Sequence, residues 1–111
     1  MSWRIQRQRP FLQSVLKAAD DQTRRERFQA ANADQINAVS ELVMNLLRQR
    51  IPVSLRTLQR LHPHRQALWA MGRPQLYKKR HQVMMQHSGL GVWSGLKTVC
   101  DQCIRQCQKK P

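Results

Sequence analysis

Asn32-Ala33-Asp34-Gln35-Ile36-Asn37-Ala38-Val39-Ser40-Glu41-Leu42-Val43-Met44-Asn45-Leu46-Leu47 is the stretch that decides the fold class. Asn32 carries a short amide that can accept from an unpaired helical N–H, and Gln35, three residues on, can reach back to close a capping box. From there Ile36, Val39, Val43, Leu46 and Leu47 fall at i, i+3, i+7, i+10 and i+11, a narrow apolar stripe, while Asn37, Glu41, Asn45 and Arg48 point elsewhere. This spacing predicts a helix with one buried face, the central helix of the chain. Pro52 stops it, because the residue ahead of a proline is disfavoured in the helical region.

Upstream, residues 21–31 carry Arg24, Arg25, Arg27 and one apolar anchor, Phe28, which fits either a continued helix or a second short one. Pro10 suits a first helical turn, and Phe11, Leu12, Val15, Leu16 and Ala19 recur at helical spacing up to Asp20-Asp21. Residues 1–9 hold Arg4, Arg7 and Arg9 among glutamines, with little apolar content beyond Trp3 and Ile5, and read as a flexible arm.

Downstream, Ser54 can cap a short helix bearing Leu55, Leu58 and Leu61, with Arg56 and Arg60 four apart and projecting together. Pro63 ends it. His64 to Met71 gives one or two more turns, with Leu68 and Trp69 inward or half-buried, and Gly72 stands where a left-handed cap would be needed. Pro74 opens a helix containing Leu76, Tyr77, Val83 and Met84, with Lys78-Lys79-Arg80 in its middle. Gly89 and Gly91 break that helix, and Val92 to Gln108 form the last one. With no sustained period-two alternation, the expectation is an all-α fold, a small bundle of short helices joined by Pro and Gly turns, with a flexible basic N-terminal arm. Three segments follow: a basic arm over 1–9, a helical body over 10–88, and over 89–111 a Gly-containing turn with a C-terminal amphipathic cysteine helix.

A chain of 111 residues has room for one compact core. Its formal net charge is +14, and fourteen of its twenty basic residues are Arg, whose planar fork suits phosphate. The acids are unevenly placed: Asp20, Asp21, Glu26, Asp34 and Glu41 share the first half, and only Asp101 follows. From Leu42 through Cys100 there is no carboxylate, yet Arg48, Arg50, Arg56, Arg60, Arg65, Arg73, Lys78, Lys79, Arg80 and Lys97 all lie there. That span cannot neutralise its own charge, so a polyanionic partner is expected, nucleic acid first.

Catalysis is not expected. Paired carboxylates have nowhere to come from in the C-terminal half, and no phosphate-cradling Gly-rich loop or Ser-His-Asp set appears in the sequence. His62, His64, His81 and His87 sit among arginines as surface or capping residues. Cys100, Cys103 and Cys107 follow C-x2-C-x3-C, and His87 could complete four zinc ligands. The same cysteines fall with Trp93, Leu96 and Ile104 on one face of an amphipathic helix, where cysteine acts as a small apolar residue. Packing or a partner-facing stripe leads; zinc and intermolecular disulfides stay open, and no cofactor is favoured.

The basic residues Arg4, Arg7, Arg9, Arg24, Arg25, Arg48, Arg50, Arg56, Arg60, Arg65, Arg73, Lys78, Lys79 and Arg80 spread over an arm and several helices, a layout for multi-point phosphate contact. No helix-turn-helix, zinc-finger or basic-zipper signature gives sequence-specific readout. Neutralising five phosphates would make log affinity fall against log salt with a slope of about −4 to −5. Leu90, Val92, Trp93 and Leu96, set among glycines, either dock into a groove on a partner protein or pack as a turn on the bundle.

Asn32 to Leu42, Asn45-Leu46-Leu47-Arg48, Ile51-Pro52-Val53 and Lys78-Lys79-Arg80 ahead of a Gly-containing turn resemble, in their order over about residues 28–97, small basic proteins of adintovirus, Polinton and adomavirus-like double-stranded DNA elements. These include candidates for the adenovirus-type core protein called X or mu. The long Gly-rich apolar tail of that group is here reduced to Ser88 through Leu96, followed by the cysteine helix. The resemblance implies a DNA-condensing or packaging role in the virion or host nucleus. Double-stranded DNA is thus the expected partner, with a capsid protein second. The alternative is a structural interaction protein, either a minor capsid-cementing component or a small ribonucleoprotein subunit. A membrane-surface role through Trp93 and the basic run is the weakest of the three readings. The N-terminus has no secretory apolar region, so a non-secreted protein is expected.

Overall fold

In the computed structural model, residues 3–18, 20–48, 53–87 and 92–108 are described, Trp3 and residues 103–108 by their backbone alone. The chain runs α1 (Trp3–Arg7), α2 (Arg9–Leu16), α3 (Asp21–Gln29), α4 (Ala33–Leu47), α5 (Leu55–Leu61), a 3-10 turn (His62–His64), α6 (Arg65–Gly72), α7 (Tyr77–Gln86) and α8 (Val92–Gln108). No strand occurs among the described residues, so the fold is all-α.

Local chemistry sets the boundaries. Asn32 Oδ1 accepts from Gln35 N at 2.9 Å and Gln35 Oε1 accepts from Asn32 N at 2.9 Å, the reciprocal box expected ahead of α4. Asp20 caps α3, its carboxylate accepting from Thr23 N at 2.7 Å. That bond holds the Asp20 carboxyl below the usual carboxylate range. The cap also decides the open question for residues 21–31, where α3 (Asp21–Gln29) forms a separate helix. Ser54 caps α5 by accepting from Thr57 N at 3.2 Å.

The core gathers around α4, whose Ile36, Val39, Leu42, Val43 and Leu46 are buried. Helix α6 packs closely on it: Ser40 Oγ donates to the Met71 carbonyl at 2.8 Å, and a Cβ on Gly72 would stand 3.0 Å from Val43 Cγ1 and 3.3 Å from Met44 N. Gly72 is therefore a contact glycine inside the last turn of α6 and not a left-handed cap. Proline placement also differs from expectation. Pro63 sits inside the 3-10 turn that leads into α6, and α7 begins at Tyr77, three residues after Pro74.

Two larger corrections concern the ends of the described chain. Trp3–Arg7 is helical, with Ile5 fully buried and α1 packed on α4, so residues 3–9 are not a flexible arm; burial of Ile5 stabilises this short helix. At the other end, Val92, Trp93 and Leu96 are buried with Val99 and Cys100 in the same core. They do not form a docking surface, because α8 lays that stripe against α2 and α5. Leu90 and the glycines Gly89 and Gly91 lie outside the described residues. Trp93 packs on Phe28 at 5.2 Å between ring centroids, and its indole N–H donates to the His87 carbonyl at 2.7 Å. Gly95 lets α8 approach α5, since a Cβ there would lie 2.5 Å from Leu61 Cδ2.

Candidate nucleic-acid interface

The basic run of α7 divides by helical geometry into moorings and free ends. Tyr77, Arg80 and His81, spaced i, i+3 and i+4, turn toward the bundle. The Tyr77 hydroxyl donates to the Ala31 carbonyl at 3.4 Å, and His81 Nε2 lies 2.6 Å from the Phe28 carbonyl, which can only accept, so Nε2 carries the proton. The two rings stack at 5.7 Å. Arg80 Nη1 donates to Asn37 Oδ1 at 2.6 Å. These bonds fix α7 to the end of α3 and to α4, and leave Lys78 and Lys79 exposed between them on a rigid turn. An open groove of about 520 Å³ runs along the same helix past Tyr77, Lys78, His81, Gln82 and Gln86.

Beside it, Arg4, Asn37, Glu41, Arg48 and Arg80 line a cleft of about 290 Å³. Arg4 pairs with Glu41 at 3.5 Å, leaving the cleft with more guanidinium than carboxylate. Arg80 Nε is buried with no hydrogen-bond partner among the described residues.

The remaining expected phosphate-binding residues separate into two groups. Arg7, Arg25, Arg48, Arg56, Arg60, Arg65 and Arg73 are exposed, and Arg9 is half-buried. Arg24 is the correction. It is buried, its Nε donates to the Val15 carbonyl at 3.0 Å, its Nη1 pairs with Asp21 at 3.2 Å, and its guanidinium lies 5.7 Å from the Trp93 ring centroid. Arg27, one turn later, donates to the Ser14 carbonyl at 2.8 Å. Together they add side-chain donors to the Ser14 and Val15 carbonyls in the last turn of α2, where Val15 otherwise has the long bond from Ala18 N at 3.4 Å. Arg50 lies outside the described residues.

Cys100 is a core residue whose thiol is pushed up to about 11, first by burial and then by the Asp101 carboxylate beside it. The side chains of Cys103 and Cys107 lie outside the described residues, and among the described residues no three His, Cys, Asp or Glu converge on a metal-sized site. His87 ends α7 and accepts the Trp93 bond through its carbonyl.

Sequence reading missed the mooring roles of Tyr77, His81 and Asn37, although the i, i+3, i+4 spacing inside the basic run carried the signal. It also missed an apolar surface: Leu55 is 70 % exposed, Leu58 46 % and Trp69 58 %. Leucines spaced three and three fall back by about 60° per step on a helix, so Leu61 turns inward while Leu55 and Leu58 drift out. No helix among the described residues is long and apolar enough to cross a membrane. Comparison with protein-family models, with curated proteins and with solved structures gives no match.

Proposed function

We propose that this chain is a non-enzymatic, sequence-independent binder of double-stranded DNA that condenses or packages it, in the virion or host nucleus. The observation that carries this reading is the display of charge. Arg48, Arg56, Arg60, Arg65, Arg73, Lys78, Lys79 and Lys97 are all exposed, and among the described residues none forms an ion pair with a carboxylate. Cations fixed on a folded body contact phosphates at several points without first losing the freedom of a disordered tail. The Arg4–Arg48–Arg80 cleft supports the same reading, since the buried Arg80 Nε gains an acceptor if a phosphate enters and the cleft adjusts around it.

Titration of the full chain against unrelated duplexes of equal length, from low to high salt, tests the proposal. The expected result is similar affinity for all sequences and a log–log salt slope of about −4 or steeper. A shallow slope, or strong preference for one sequence, would overturn it. A double-stranded RNA competitor of the same length separates DNA from RNA.

A further inference from the structure

The exposed leucines lie beside a recess that the phosphate-binding reading does not use. Leu46 and Leu47 at the end of α4, Leu58 and Leu61 of α5, and Leu68 of α6 line a groove of about 250 Å³, with His62 and Arg65 also in its lining. Leu55 and Leu58 stand three apart on α5 and extend the apolar surface outward. Trp69, four residues after Arg65 on α6, is a further large apolar side chain left exposed. Large apolar side chains gathered at a recess, with polar residues at the edge, mark an interaction site on a soluble chain.

Charge selects the occupant. Every charged side chain on α5, the 3-10 turn and α6 is basic, and no carboxylate occurs between Leu42 and Cys100. Duplex DNA satisfies the arginines but offers the leucines nothing, because its outer surface is hydrated phosphate. A second copy of the chain offers apolar surface but sets Arg65 and its neighbours against their own kind in a two-fold contact. A bilayer has apolar depth and anionic headgroups, yet it is broad and carries no ridge to enter a recess whose leucines lie between helices. A helix with leucines at i, i+3 or i+4 and i+7, flanked by Glu or Asp, meets both requirements.

We propose that the α4–α5–α6 groove is a docking site for an acidic amphipathic helix of a protein partner. The leucines take its apolar stripe, and Arg65, which lines the groove beside His62, takes a carboxylate. Arg65 thereby leaves the phosphate-binding surface. The groove lies on α4, α5 and α6, whereas the moored lysines lie on α7, which packs on α3. Nothing in this assignment requires the other partner to be DNA.

The test uses the full chain and three synthetic helical peptides: one with a leucine stripe flanked by Glu, one with the leucines replaced by Ser, and one with the Glu replaced by Lys. The expected result is saturable binding of the first, with amide chemical-shift changes confined to α5, α6 and the end of α4 and a changed Trp69 emission. Each altered peptide binds at least tenfold more weakly. Leu58→Glu abolishes binding and Leu55→Ser weakens it, both with an unchanged far-UV spectrum. Equal binding of the Ser peptide, or shifts spread over α3 and α7, would reduce the effect to general electrostatics and overturn the proposal. So would no peptide binding alongside Leu58-dependent capture by phosphatidylcholine–phosphatidylserine vesicles, or Leu58-dependent self-association in sedimentation. Salt-steep duplex binding with no peptide binding defeats this site and leaves the DNA reading standing.

Discussion

Arg24 and Lys78 carry the same unit charge on neighbouring helices, α3 and α7, yet one is buried in the fold and the other stands clear of it. Arg24 sits where the last carbonyls of α2, the Asp21 carboxylate and the Trp93 ring converge, so its charge meets partners inside the molecule. Arg27 follows it onto the same helix end. Lys78 occupies the outward side of a helix whose inward side is tied down by Tyr77, Arg80 and His81. The difference lies in what is within reach. Carboxylates and unsatisfied helix-end carbonyls are available to the arginines ahead of Leu42, and beyond it there are no carboxylates until Asp101.

The strongest way to break this contrast is to remove the outward set. Replacing Arg48, Arg73, Lys78 and Lys79 together by Gln should make the log–log salt slope of duplex binding shallower by about 3 to 4, if each cation neutralises one phosphate. Thermal stability should hardly change, because the four are exposed and make no ion pair among the described residues. A large loss of stability with an unchanged slope would mean that these residues belong to the fold.

Arg24→Ala should do the reverse. It removes the side-chain donor to the Val15 carbonyl, which keeps a backbone donor in Ala18 N at 3.4 Å, and takes the cation from the Trp93 face, a cost of about 1 to 3 kcal/mol. Chemical denaturation reads the loss directly. The folded fraction should bind duplex with an unchanged salt slope, and a reduced slope would return Arg24 to the phosphate surface.

How far these roles are legible in the sequence follows from the same contrast. The Asn32–Gln35 box and the stripe from Ile36 to Leu47 are local patterns, and α4 forms as they dictate. The carboxylate-free span is compositional and needs no structure to be seen. Arg24 is different, because its partners Val15 and Trp93 lie 9 and 69 positions away, and nothing around α3 distinguishes Arg24 from Arg25 beforehand. Ile5 failed for the same reason: an apolar residue among glutamines and arginines looks like part of a tail until α4 supplies the surface it covers. Trp93 among glycines reads as an exposed docking element, but Gly95 serves close packing of α8 on Leu61.

Gly95→Ala tests that last point with an intermediate effect. Alanine favours a helix interior by roughly 0.5–1 kcal/mol, whereas overpacking costs about 1–3 kcal/mol. With a Cβ 2.5 Å from Leu61 Cδ2 and 2.9 Å from Cγ, the clash involves a branch point as well as a movable methyl, so packing wins. A net loss of about 1–2 kcal/mol is expected, with chemical-shift changes along α5 and α8. A stabilised variant would show that the two helices can separate freely.

Glu41→Gln produces the smallest change and probes the border between the two regimes. Glu41 is the last acid before the carboxylate-free span, and its pair with Arg4 is long, at 3.5 Å, with both side chains partly exposed at 40 % and 29 %. A pair so placed contributes between about 0 and 1 kcal/mol, because solvent screens the attraction and two side chains must be held to make it. Removing the carboxylate leaves the cleft lined by Arg4, Arg48 and Arg80 without an internal counter-charge. Stability should therefore stay within about 1 kcal/mol while duplex affinity at low salt rises and the salt slope steepens by at most about one. If the variant instead unfolds as readily as Arg24→Ala, the Arg4–Glu41 pair belongs to the inward set, and the outward regime begins only at Arg48.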